Sequence, residues 1–105
     1  MAFNGTEGSP ILPEVAGDWT RRFRETYKGG TTGHFFGRDI LLQLLEQPGA
    51  VGIRFYYAID KDGKRQLIAV AADAEQNDQL GTGRAVADDS CPCPPWLSQA
   101  NILNS

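Results

Sequence analysis

The sequence predicts an α+β fold, with two N-terminal helices packed on an antiparallel β-hairpin and an irregular Pro-rich C-terminal tail. Three observations predict it. Phe36, Ile40, Leu41, Leu44 and Leu45 recur at intervals that line one face of an α-helix. Directly after them Val51, Ile53, Phe55, Tyr57 and Ile59 alternate with smaller or polar residues, the period of a strand with one buried face. Upstream, Val15, Trp19, Phe23 and Tyr27 step by four behind Pro13, a residue suited to the first position of a helix.

Residues 1–12 are rich in Gly, Asn, Thr and Ser and read as a flexible lead. The first helix begins at Pro13; Gly17 lies inside it and weakens it by about 1 kcal/mol relative to alanine. Lys28-Gly29-Gly30-Thr31-Thr32-Gly33 ends that helix and leads into the next. The second helix is expected from about Gly33 to about Glu46, with Thr32 as its N-cap and Gln47-Pro48-Gly49 as its stop.

The hairpin turn falls at Lys61-Asp62-Gly63-Lys64, with Gly63 as the left-handed residue. Asp60 then faces Arg65, which pairs Tyr57 with Ile68, Phe55 with Val70 and Ile53 with Ala72. Two strands alone are marginal in water, so the sheet needs a third strand from around Arg84 to Ala87, or the hairpin of a second subunit. The domain organisation that follows is a lead over 1–12, one α+β domain over 13–88, and a Pro/Cys-rich tail over 89–105 packing on that domain. Trp96, Ile102 and Leu103 are its candidate anchors.

At 105 residues the chain supports one modest core. A net charge of -3 supplies no electrostatic footprint for nucleic acid or for an anionic membrane. No apolar run approaches the roughly 20 residues that cross a bilayer, and the opening MAFNGTEGSP has no basic-then-apolar pattern of a signal peptide. A cytoplasmic protein is expected, with Cys91 and Cys93 as reduced thiols, since a bridge between them would close a small strained ring.

Three groups of residues carry candidate chemistry. The expected helix start offers free amides and the positive end of a dipole, so Thr32, His34 and Arg38 form a candidate anion site. The preceding glycine-rich loop lacks the Gly-Lys-Ser/Thr ending of a Walker A motif. His34 is the chain's only histidine, the one side-chain type whose unperturbed pKa lies near neutrality, yet no Ser-His-Asp or Cys-His arrangement can be assigned to it from spacing. Cys91 and Cys93 are candidate metal ligands, for zinc with additions such as His34, Asp88 and Asp89, although CxC falls short of a paired CxxC signal. Asp60-Lys61-Asp62-Gly63-Lys64 echoes an EF-hand loop but places Lys64, Arg65 and Ala71 where its fifth ligand, its glycine and its last carboxylate belong. The third group is a surface: Arg54 and Tyr56 project from the hairpin opposite its main apolar set, with Arg54 expected to pair with Asp73, and Trp96 stands in the tail.

The stretch HFFGRDILLQLLEQPGAVGIRFYYAIDKDGKRQLIAVAADA, the later Asn77-Asp78 and the terminal CPCPP resemble a family of short uncharacterised bacterial proteins. That family carries an FFGR helix, a GIR-x-YY strand, a D-x-D-GK turn and a Cys-Pro-Pro tail. The resemblance covers roughly residues 14–96 and implies a bacterial cytosolic origin, with no activity, cofactor or catalytic residue. Where its pattern places a further cysteine after the prolines, this chain has Trp96-Leu97. The functional expectation is a small non-enzymatic protein-interaction or assembly module, a homodimer that also offers its hairpin edge and tail to a protein partner. The alternative is a small-ligand or metal-binding protein, an enzyme included, using His34 and Arg38 or Cys91 and Cys93.

Overall fold

The computed structural model describes residues 2–104; Met1 of the lead and Ser105 of the tail lie outside the described residues. The elements in chain order are α1 (Pro13–Thr26), β1 (Gly33–Phe35), α2 (Arg38–Leu45), β2 (Ala50–Ile59), β3 (Arg65–Asp73), β4 (Val86–Ala87) and β5 (Cys91–Cys93). The class is α+β, with an antiparallel three-stranded sheet ordered β2-β3-β4 and an antiparallel two-stranded ribbon of β1 and β5. Contacts gather into two compact units. One takes in the chain up to Glu7 and Phe36–Ser90; the other takes in Gly8–Phe35 and the chain from Cys91 onward.

In the first unit α2 lies on one face of the sheet. Leu44 is fully buried there with Ala69, Ala71 and Ala87, and Phe36, Ile40, Ala50, Ile53 and Ala85 close around them. Alanines at these strand positions let the helix approach the backbone, so one leucine fills the space between layers. The helix is shorter than its apolar period suggested. Gly33–Phe35 is committed to pairing with Cys91–Cys93, so α2 opens at Arg38 behind an extended Gly37, and Phe36 packs on the core from outside the helix. The stop falls where the sequence placed it: Gly49 has a φ of +86°, and the Ala50 amide closes a turn onto the Gln47 carbonyl at 3.0 Å.

The hairpin register is one residue away from the expected one. Ile53, Phe55 and Tyr57 face Ala71, Ala69 and Leu67 rather than Ala72, Val70 and Ile68. Asp60 causes the difference. Its Oδ1 accepts the amides of Asp62 and Lys64 at 2.9 and 3.0 Å, and its own amide donates to the Lys64 carbonyl at 2.9 Å, so Lys64 sits opposite Asp60 and the loop holds three residues. Gly63 takes the left-handed conformation expected of it, with a φ of +81°. Either register satisfies β3, because Ala69, Val70, Ala71 and Ala72 are all buried and the strand is apolar on both faces. The third strand, expected over Arg84–Ala87, is the two-residue β4, which pairs Val86 with Val70 and Ala87 with Ala69.

In the second unit the tail is not wholly irregular, since Cys91–Cys93 forms β5 against β1. The N-cap role expected of Thr32 is absent. Its amide and hydroxyl instead donate to the Cys93 carbonyl at 2.7 and 3.3 Å. Helix α1 meets the C-terminal segment on its Gly17 side, and Arg24 Nη1 donates to the Leu103 carbonyl at 2.6 Å. Trp19 and Tyr27, on the expected apolar stripe of this helix, are more than half exposed.

Candidate functional site

Strand β2 is an edge strand of the sheet. In an antiparallel pair, alternate residues turn their N–H and C=O toward the partner strand and the rest turn them away. Asp60 turns its amide toward β3, so alternation along the regular ladder from Gly52 assigns the outward backbone groups to Ile53, Phe55, Tyr57 and Ile59. The side chains of the same four residues lie on the α2 face.

A length mismatch leaves the far half of that face bare. Eight helical residues span about 12 Å, whereas ten strand residues span about 33 Å, and α2 covers only the half nearest Ile53. Phe36 meets Phe55 with ring centroids 5.8 Å apart. Phe55 is still 47 % exposed, and beyond it Tyr57 and Ile59 are exposed at 95 % and 74 %. The near end of the strand has another neighbour: a Cβ at Gly5 would stand 3.3 Å from the Val51 carbonyl oxygen. Phe3, Gly5 and Glu7 thus wall an open recess of about 310 Å³ against Val51–Arg54 and Ala72.

The opposite face of the sheet carries a polar cluster. Arg54 Nη1 and the Tyr56 hydroxyl both donate to the Asp78 carboxylate, and Arg54 also reaches the Gln76 carbonyl at 3.3 Å and lies 5.4 Å over the Phe3 ring. The sequence expected Asp73 in place of Asp78. Asp73 is occupied in a tight turn, its Oδ1 accepting the amides of Glu75 and Asn77 at 3.0 and 2.9 Å. That turn brings Asp78 back beside Ala72, within reach of Arg54.

The Tyr56 hydroxyl, and then the Arg54 guanidinium, hold the Asp78 carboxyl below its ordinary range against the opposing effect of burial. A depressed carboxyl stabilises the fold above the ordinary carboxylate range, and that contribution disappears as pH falls through the lowered folded value. Asp78→Asn is therefore expected to lower stability at neutral pH and to flatten its decline in acid. Urea midpoints measured from neutral to strongly acidic pH test this; parallel curves for wild type and variant would remove Asp78 from the account.

The helix start on which the anion site was expected lies at Arg38 rather than at Gly33. Thr32 and His34 lie on or beside β1, while Arg38 opens α2 in the other unit, exposed and 3.3 Å from Asp39. Burial lowers the pKa of His34 from its ordinary value. In the ribbon Cys91 and Cys93 share one face and His34, opposite Pro92, takes the other by alternation. Both cysteines are free thiols, and that of Cys93 donates to the Trp96 carbonyl at 3.0 Å. Among the described residues, no three His, Cys, Asp or Glu side chains are grouped to hold a metal ion. Trp96, expected on an interaction surface, is exposed at 65 %, but it belongs to a different unit from Arg54 and Tyr56.

No helix among the described residues is long and apolar enough to cross a membrane. The fold and the bare strand define an α+β protein with an unfilled sheet edge. The chain matches no protein-family model, no curated protein and no solved structure.

Proposed function

We propose that this chain is a non-enzymatic protein-interaction module that takes up a protein strand along the far half of β2. The reading is carried by one observation: the backbone groups turned outward from the sheet and the uncovered apolar side chains belong to the same residues, Phe55, Tyr57 and Ile59. Strand addition uses both at once, main-chain hydrogen bonds for affinity and alternate side chains for specificity. Proteins that keep a sheet edge free of partners place charge, proline or a bulge along it. From Phe55 to Ile59 there is none of these, and the irregularity of β2 lies at Ala50/Gly52, at its other end.

Cross-linking in an extract of the source organism, followed by mass measurement, tests the reading. Wild type is expected in a complex heavier than the 11.5 kDa chain, and Tyr57→Lys is expected to release it. Amide exchange adds the location, with the amides of Phe55, Tyr57 and Ile59 slowed in the complex. A chain that stays monomeric in the extract, or a complex in which those amides remain fast, sinks the proposal.

A further inference from the structure

We infer that the strand taken up by β2 is β2 of a second copy, antiparallel, with a two-fold axis at Tyr57. The inference rests on the strand-docking reading and names its partner. A two-fold pairing requires that one patch complement itself, and the bare segment does so. With Tyr57 opposite Tyr57 of the second copy, Phe55 meets Ile59 and Ile59 meets Phe55, so aromatic and β-branched side chains pair along one face. All three pairs join residues whose N–H and C=O point outward, as a hydrogen-bonded antiparallel ladder requires.

Charge favours this register over its neighbours, as an attraction added to the partners each charge holds in its own chain, Asp78 for Arg54 and the Asp62, Lys64 and Gln66 donors for Asp60. On the other face, the axis at Tyr57 sets Arg54 of each copy opposite Asp60 of its mate. An axis at Tyr56 sets Arg54 opposite Ala58, and an axis at Phe55 sets it opposite Tyr56, with no opposite charge in either; an axis at Ala58 sets it opposite Asp62 but runs Phe55 against Lys61, beyond the end of the strand. The extent of exposed strand agrees, because Tyr57 is the most exposed residue between Ile59 and the half-covered Phe55, whereas residues of the lead stand beside Val51 at the other end. The assembly also closes at two copies. The sheet's opposite edge is β4, only two residues long, so it offers no comparable strand on which a third copy would add.

Sedimentation equilibrium of the purified chain from micromolar to millimolar concentration is the first measurement. Wild type is expected to be a reversible dimer, and Tyr57→Lys, which opposes like charges at the axis on a side chain 95 % exposed, is expected to dissociate at least tenfold more readily. Single-cysteine chains on a Cys91→Ser/Cys93→Ser background then locate the axis. Paired residues about 5.5 Å apart lie within disulfide reach, so Tyr57→Cys should link to itself on oxidation, and Phe55→Cys should link to Ile59→Cys but not to itself. A purified chain monomeric throughout overturns this inference while leaving the complex in extract to judge the strand-docking reading. A dimer unchanged by Tyr57→Lys, or one that self-links at Phe55→Cys, overturns it as well.

Discussion

Leu44→Ala is expected to destabilise the unit built on β2, β3 and β4 by about 3–4 kcal/mol, within the range for leucine truncation in a core that cannot collapse. Leu44 has no exposed surface and stands over Ala69, Ala71 and Ala87. Three methyl side chains cannot grow into the space it leaves, and the strands beneath are held in register by their own ladder, so the cavity stays open. Against a total stability of about 5–15 kcal/mol for an ordinary domain, the loss is large. Leu42 and Leu45, on the same helix but nearly half exposed, should cost about 1 kcal/mol or less on truncation. The probe must report on the right unit. Trp19 and Trp96 both belong to the other one, so tryptophan fluorescence is the wrong signal; amide exchange over Ala69–Ala72 is the right one. Equal losses at Leu44 and Leu45 would show that α2 is not seated on the sheet as described.

The two apolar periods made the class legible, because a helix and a half-buried strand differ in spacing whatever surrounds them. Register was not legible from the same residues. It turned on the Asp60 carboxylate collecting the Lys64 amide, an interaction of the turn, while the apolar run of β3 agreed with either alignment. Arg54 was expected to pair with Asp73 and pairs with Asp78 instead, because Asp73 is consumed in a turn that returns Asp78 to the sheet. The ribbon of β1 and β5 joins two three-residue segments far apart in sequence, and neither carries a period long enough to read. The site itself was half visible. Phe55, Tyr57 and Ile59 looked like a buried set because alternation reports one shared face, and whether that face is covered depends on the length of α2, which β1 shortens.

Gly17→Ala is expected to detach the C-terminal segment from α1 while leaving the helix intact or firmer. On helix propensity alone the substitution gains about 1 kcal/mol, which is why Gly17 looked like a defect. The structure gives it a purpose. A Cβ at position 17 would lie 2.6 Å from Ile102 Cγ1 and 2.8 Å from the Ile102 carbonyl oxygen, and Gly17 is the buried residue of the helix. The side-chain contact can be relieved by a rotamer change; the backbone contact cannot, so the segment must move. Overpacking of this kind costs about 1–3 kcal/mol, enough to outweigh the helical gain. The Arg24 contact to the Leu103 carbonyl should be lost with it. NMR shifts and amide exchange over residues 101–104 and 13–26 separate the two effects, with the tail becoming mobile and the helix keeping its protection. A Gly17→Ala/Ile102→Ala chain makes the test sharper. Removing the Ile102 side chain leaves the carbonyl in place, so the tail should stay detached; recovery of the docked tail would show that the side chain alone sets the distance.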